Sequence, residues 1–359
     1  MSPDVLVVGG GPAGALFAAT AARAGLRTTL IDDSDEGVHR IGESLPGSAL
    51  HLLKQAGFSP SGLHAPLAGS IASWGSERLE RADAFREPFG AGLRLDRRAF
   101  ERELRNFAQA SGALLLKGKI REVMADASAM YLTTSSGTSI SSRLVVDATG
   151  RSAFIARKAG ARRTTDRRLF CVYRLLDPMP LSETDRLWVE SADNGWWYSI
   201  ALPDGMRLAA FFCDLATAQA MRATPEIWYR QLSETKLVGS AFELSTAAER
   251  TSLNVANASQ ERLDRDEGTG WLAVGDAACS YDPLTSQGLF AALFDGFEGA
   301  RAIGHAIAGD TQPLAAFHKV RAQRRAVIAQ RCAALYQGEG RWANSPFWME
   351  RRMPGAGTR

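Results

Sequence analysis

At 359 residues and 45% hydrophobic content the chain is long enough for one large domain or two lobes around a sizeable core. A formal net charge of only +3 gives no argument for a nucleic-acid partner. Four scattered cysteines (Cys171, Cys213, Cys279 and Cys332) form no CxxC pair, which argues against a zinc site or a disulfide framework.

In chain order, Asp4–Val8 is a short β-branched apolar run. A glycine turn follows, then an Ala-rich helix over Pro12–Ala24 closed by Gly25, then a strand over Leu26–Asp32. This is a βαβ unit. The run is no signal peptide, because Asp4 stands where a basic residue is required and glycines interrupt the apolar stretch. No segment approaches the ~18–20 apolar residues that span a bilayer. A soluble, cytoplasmic protein with reduced thiols and no membrane contact is expected.

Residues 33–92 are irregular apart from a helix over Ser48–Ala56. Asp96–Ser111 is an amphipathic helix with Phe100, Leu104 and Phe107 on one stripe. A strand and hairpin over Leu114–Ile140 lead to a buried-type strand, Leu144–Ala148, and the turn Thr149-Gly150. Past Arg168 the strands lengthen and become aromatic: Phe170–Leu175, Leu187–Glu190, Trp196–Leu202 and Arg207–Asp214, with Pro203-Asp204-Gly205 as a hairpin turn. From Trp271 come a buried strand (Leu272–Val274), a loop, a helix over Gly288–Ala308 and a basic helix reaching Tyr336. On that last helix Lys319, Arg321, Arg324, Arg325 and Arg331 predict a solvated face, with docking of an acidic partner as the alternative.

Gly9, Gly11 and Gly14 spell GxGxxG between a strand and a helix. The first glycine permits the tight turn, the second lets a pyrophosphate approach, and the third lets helix and strand pack closely. Asp32, at the end of the next strand, can bind ribose hydroxyls. A second loop, Gly275 to Gly288, also follows a buried strand and opens a helix. Asp276 at its head can bind a ribityl hydroxyl, and the helix start aims N–H groups at an electron-rich ring edge. The plain alternative is a polar helix entry capped by Asp276 or Ser286.

The order of five motifs resembles the flavoprotein monooxygenases of the p-hydroxybenzoate hydroxylase type. They are the Gly9 loop, Arg40-Ile-Gly-Glu-Ser44, Leu95-Asp-Arg-Arg-Ala-Phe100, Asp147-Ala-Thr-Gly-Arg151 and the Gly275-Asp276 loop. Gly42-Glu-Ser-Leu-Pro46, Trp196-Trp-Tyr-Ser-Ile-Ala201 and the tail around Arg341-Trp342 and Phe347–Arg352 are similar to the branch that holds flavin-dependent halogenases and the hydroxylases maturing peptidyl-tryptophan quinone cofactors.

The resemblance implies an α/β fold: a Rossmann-like FAD-binding domain (1–75, 93–165 and 265–310), an inserted antiparallel β-sheet substrate domain (76–92 and 166–264) and C-terminal helices (311–359). It implies FAD as cofactor, held by Gly9, Gly11, Pro12, Ala13, Gly14, Asp32, Asp33, Arg40, Ser44, Arg97, Asp276, Pro283, Gln287 and Gly288, with NAD(P)H as electron donor. Trp74, Trp196, Tyr198 and Phe211 are the expected substrate pocket, on a sheet where aromatic residues also serve as ordinary core. The substrate is an aromatic small molecule or a tryptophan-containing partner protein.

Within this branch, tryptophan halogenases carry a lysine before the strand matching Ser73-Trp74-Gly75, a Glu after Asp-Pro-Leu and a Thr before the Gly of the second loop. Here no lysine falls between Lys54 and Lys117, and the loop positions hold Thr285 and Gln287. The WxWxIP signature is altered to Trp196, Tyr198, Ile200 and Ala201. These departures favour hydroxylation over halogenation. No catalytic side chain is expected, because the flavin carries the chemistry and the protein positions the ring and excludes water. The five histidines lack metal-ligand spacing, so no metal is expected. A geranylgeranyl-type flavin reductase and a flavin-binding chaperone without turnover are the remaining alternatives.

Overall fold

A computed structural model describes residues 2–33, 41–126, 128–181, 183–243 and 253–352. The first lobe is built on a six-stranded sheet in the order Glu267–Gly268, Trp271–Ala273, Leu144–Asp147, Val5–Val8, Thr28–Asp32 and Leu114–Lys117. All neighbours are parallel except the first pair. A parallel sheet is covered on both faces, and Val5 to Val8 are accordingly all buried. Helix Pro12–Arg23 packs against helix Gly288–Ile307 through glycine: a Cβ on Gly296 would lie 2.4 Å from the carbonyl oxygen of Ala13. Helix Arg97–Ala110 starts on Asp96, whose carboxylate accepts the N–H groups of Arg98 and Ala99. Phe17, Leu30, Phe100, Leu104 and Leu293 form the centre of this core.

The second lobe is a seven-stranded sheet in the order Asn254–Asn257, Phe170–Leu176, Arg207–Cys213, Gly195–Ala201, Arg186–Ala192, Gly69–Ser73 and Leu79–Asp83. The hairpin turn predicted at Pro203-Asp204-Gly205 is present, with Gly205 at φ +93° and the Met206 N–H held by the Asp204 carboxylate. Two expectations change. Gly69–Ser73 belongs to this sheet, not to the dinucleotide unit. It also pairs parallel with Arg186–Ala192, so the sheet is mixed, not purely antiparallel. A five-residue strand with a single large apolar side chain, Ile71, carries no mark of its partner, so pairing across more than a hundred positions is invisible locally.

Side chains alternate along these strands. Trp196, Tyr198, Ile200, Leu208 and Phe212 share one face, while Trp197, Ala209, Phe211 and Cys213 share the other. Helices Leu215–Ala223 and Pro225–Ser233 cover the second face, where Trp228 donates its indole N–H to the Val172 carbonyl at 3.1 Å. A three-stranded sheet of Arg163–Arg167, Gln260–Leu263 and Cys279–Ser280 joins segments of both lobes.

The C-terminal helices Gln312–Gly338 and Pro346–Arg352 return to the first face of the large sheet. The solvated basic face predicted for the longer helix is largely absent. Arg321 is 1% exposed, Arg324 and Arg325 are partly buried, and all three turn inward to Asp266 and Asp295. Only Lys319 and Arg331 of the five are exposed. Buried arginines at helical spacing look like a charged stripe in sequence, and only the opposing carboxylates reveal their direction. Among the described residues no helix is long and apolar enough to cross a membrane.

Candidate functional site

The strand Val5–Val8 runs into Gly9, whose φ of +106° excludes most side chains. A Cβ there would lie 2.3 Å from the Ala148 carbonyl oxygen, and one on Gly14 would lie 1.9 Å from that of Gly9. At Gly11 a Cβ would meet nothing within 4 Å. Two glycines thus serve close packing while the middle one borders free space. Helix Pro12–Arg23 has no side-chain cap, and Pro12 occupies its first turn, where its missing N–H costs nothing. Uncapped N–H groups beside an open glycine suit the pyrophosphate of a dinucleotide.

Asp32 stands beside this loop: Oδ1 accepts the Gly10 N–H at 2.9 Å, and Oδ2 is 3.6 Å from Arg105 Nε. Asp33 is exposed, 4.0 Å from Lys119 Nζ. Arg40 lies outside the described residues. Arg97 reaches back over the Gly42-Glu-Ser44 segment, donating Nη1 to the carbonyls of Ile41 (3.1 Å) and Gly42 (2.8 Å) and Nη2 to Glu101 (2.6 Å). It holds that loop, and its buried Nε has no partner in the protein.

The second loop meets the first directly. A Cβ on Gly275 (φ +59°) would approach the Ala13 Cβ to 2.8 Å, so glycine is needed for both the turn and the contact. Asp276 is the one partly exposed side chain in the run Trp271 to Ser280. Its carboxylate lies 3.8 Å from Arg151, which also donates to Ser259 O (2.6 Å) and Ser280 Oγ (3.1 Å). Asp282 is buried, which pushes its carboxyl up; Oδ1 accepts the Leu284 N–H and Oδ2 the Tyr336 hydroxyl. Pro283 opens a short 3-10 turn, and Ser286 follows at φ +51°, an uncommon conformation for a non-glycine residue. Gln287 precedes helix Gly288–Ile307 without capping it, and Gly288 again borders open space.

The site therefore has two uncapped helix starts. Ala13 packs on Gly296, eight residues into the second helix, so at 1.5 Å per residue the two starts are offset by about 12 Å along it. That offset suits an extended ligand with its phosphates on one helix and a ring on the other. The residues fit FAD: the Gly9–Gly14 loop, Asp32, Asp276 and Gly288 border this arrangement, and Arg97 lies on its flank.

Sequence reasoning did not single out what anchors the second loop. Asp295 accepts the Gly275 N–H at 3.1 Å and is itself bound by Arg321 (3.4 Å) and Arg324. Arg321 also donates to the Ala273 carbonyl at 3.2 Å. The available signal was a lone Asp between Phe294 and Gly296 in the apolar first half of the helix. Asp147, fully buried with its carboxyl raised by desolvation, holds the N–H groups of Thr149 and Ala156 and so shapes the Asp147–Arg151 segment.

The expected pocket divides. Tyr198 lies beside Ser44 on the sheet face towards the flavin loops, where Ile41 and Leu284 pack. Burial pushes its hydroxyl pKa up, so it stays protonated. Trp196 is wholly buried, stacked on Phe212 at 4.0 Å and donating to Tyr336 at 3.3 Å, and so is core and not an open wall. Trp74 is half-buried, edge-on to Trp196 and Trp348, with its indole N–H on the Leu335 carbonyl. Phe211 is on the opposite face with Trp197 and Trp228 and does not join the others. The reason is register: Phe212, not Phe211, pairs with Trp196. Among the described residues no group of three His, Cys, Asp or Glu could hold a metal ion.

Comparison with known proteins agrees with this geometry. A family model described as tryptophan halogenase matches residues 63–356, and an FAD-binding domain model matches residues 4–40. The putative FAD-dependent oxidoreductase LodB of Marinomonas mediterranea is 25% identical over 98% of this chain and 97% of its own. Among solved structures, the myxobacterial chondrochloren halogenase CndH superposes with a TM-score of 0.88 at 20% identity, covering 99% of this chain and 87% of its own. The peptidyl tryptophan dihydroxylase QhpG, essential for tryptophylquinone cofactor biogenesis, gives 0.79 at 23% identity, covering 98% and 79%. With its Rossmann-like FAD-binding fold and paired flavin loops, the chain is an FAD-dependent oxidoreductase that belongs to the tryptophan halogenase family.

Proposed function

We propose that the chain is a monooxygenase that hydroxylates an aromatic ring with electrons from NAD(P)H, and that the ring is a tryptophan side chain of a partner protein. Bound FAD supplies the oxygen-activating redox chemistry. Asp32 and the two helix starts would hold it, Asp276 would orient it through the second loop, and the Tyr198 face of the sheet would exclude water from the site. The observation that carries the reading is the second loop. Thr285 is buried with its hydroxyl donated to the Asp282 carbonyl at 3.1 Å, and Gln287 occupies the helix entry, where halogenases of the resembled branch place Glu and Thr. Similarity to a peptidyl tryptophan dihydroxylase supports the same choice.

A second reading, halogenation of an aromatic substrate with a separate flavin reductase, is favoured by the family model itself. One experiment separates them. The FAD-loaded protein is supplied with NAD(P)H, a flavin reductase, oxygen, bromide and a tryptophan-containing peptide or partner, and the product is weighed. Gain of oxygen supports hydroxylation; gain of bromine refutes it. A protein that takes up no FAD at any concentration refutes both.

A further inference from the structure

Arg207 opens the strand Arg207–Cys213 and points, by the alternation of the sheet, to the face of Trp188, Trp197 and Phe211, away from Tyr198 and the flavin loops. Its side chain is wholly buried. The guanidinium carbon lies 3.9 Å from the Trp188 ring centre, and Nε donates to Ser199 Oγ at 2.8 Å. Both terminal nitrogens, Nη1 and Nη2, are buried with no hydrogen-bond partner, and so is the Trp188 indole nitrogen.

Among the described residues no carboxylate forms an ion pair with this charge. Glu190, on the same face, has its oxygens occupied by the backbone N–H groups of Lys236, Leu237 and Val238. The charge that bears on it is another cation, Arg94, which donates to the carbonyls of Pro66, Thr184 and Ala201 and itself feels the Asp185 carboxylate; Arg174, on the neighbouring strand, donates to the Tyr229 hydroxyl. Tyr198, from the opposite face, is protonated. Among the described residues Arg207 has no ion pair. Burial, with Arg94 nearby, brings its pKa down to about 10, so it remains a cation at neutral pH. A bare buried guanidinium is costly, and deprotonation offers no relief.

The groups around it share a property. Nη1, Nη2 and the Trp188 Nε1–H are donors only, and the Ser199 hydroxyl, which accepts from Nε, keeps its own proton to give. A lining of donors with one net positive charge calls for an acceptor with one negative charge. We propose that Arg207, Trp188 and Ser199 form an internal site for a small monoanion of the halide or carboxylate class, separate from the flavin loops and independent of whether the enzyme transfers oxygen or halogen. A phosphate dianion would bring more charge than the site holds. A water would satisfy the N–H groups but leave the charge bare.

The test begins with wild-type crystals transferred from chloride to bromide. An anomalous peak within hydrogen-bonding distance of Arg207 Nη1 or Nη2 is expected; bromide at surface positions only, with water at Arg207, overturns the site unless formate density replaces it in a parallel soak. In solution, the wild-type unfolding midpoint should rise by several degrees when gluconate is exchanged for bromide or formate at fixed ionic strength. Arg207→Met should lose that rise, and Arg174→Met should keep it. An equal rise in wild type and Arg207→Met overturns the proposal. If Arg207→Met does not fold, the crystals decide. A response to formate but not bromide assigns the site to carboxylates.

Discussion

Replacing Asp295 by alanine tests whether the second flavin loop is held from behind. In the folded protein this carboxylate receives the Gly275 N–H and two arginines, Arg321 and Arg324, and is itself 4% exposed. Asp295→Ala leaves an N–H and two largely buried cations without their anion. Removing one partner of a buried pair costs about 3–5 kcal/mol, because the remaining charge is uncompensated. Arg321 retains Asp266 at 3.3 Å, which places the expected loss at the lower end, about 3 kcal/mol. For a chain of this size that is a fall of roughly 4 °C in the unfolding midpoint. Asp295→Asn keeps an acceptor for Gly275 and should fall between the variant and wild type. The decisive readout is FAD retention: the dissociation constant, followed by flavin fluorescence during titration of apoprotein below its unfolding range, should rise at least ten-fold in Asp295→Ala. A variant with wild-type midpoint and wild-type FAD affinity would show that the network is ornamental and that Asp276 is positioned otherwise.

Other expectations follow from single contacts. Gly14→Ala, with 1.9 Å to the Gly9 oxygen, should lower both stability and FAD content, whereas Gly11→Ala, which meets no protein atom, should leave the apoprotein midpoint unchanged and lose FAD; calorimetry beside flavin absorbance distinguishes them. Glu339 is buried, which opposes ionisation, yet hydrogen bonds from Arg341, Ser191 and the Gly75 N–H hold its pKa near about 2 instead of 4.5. A depressed carboxyl gives stability that is full above pH 4.5 and disappears as pH falls towards 2. Glu339→Gln should therefore be less stable than wild type at pH 7, by up to about 3 kcal/mol, with the gap closing in acid; denaturant titrations at pH 7 and pH 3 check the sign. Asp32→Ala should weaken FAD binding and, by freeing the Gly10 N–H, cost about 1 kcal/mol of stability in the apoprotein, measured by urea unfolding.

The flavin half of this arrangement is legible in sequence because each requirement is local. Gly9 turns at φ +106° and Gly14 meets the Gly9 carbonyl five residues back, so both leave a local mark even though the Ala148 carbonyl that also crowds Gly9 comes from far along the chain, and Asp32 sits at a strand end fixed by its own β-branched run. The substrate half is not. In the pair Phe211-Phe212 either ring could face Trp196, and the choice depends on a hairpin register that one residue of slip would reverse. The arginines of helix Gln312–Gly338 look like a solvated stripe until Asp266 and Asp295, far back in the chain, are placed opposite them. Arg97, expected at the flavin or its phosphates, also holds the loop beside it, and that second role is not legible because the carbonyls it binds become available only once the Gly42 turn forms.

The covering of the aromatic sheet face by residues near the end of the sequence shapes how the protein must be made. Trp196 finds its hydrogen-bond partner 140 positions later, and Trp74 finds its own 261 positions later. While the polypeptide emerges from the ribosome, the sheet can pair and its back can be closed by Leu215–Ala223 and Pro225–Ser233, but Trp74 and Trp196 wait without Tyr336 and Trp348. From the completion of Arg207–Cys213 until Trp348 is made, the protein shows an indole-rich surface to whatever else is in the cell. Holding chaperones, slow translation or low temperature should therefore govern its soluble yield more than the stability of the finished fold does.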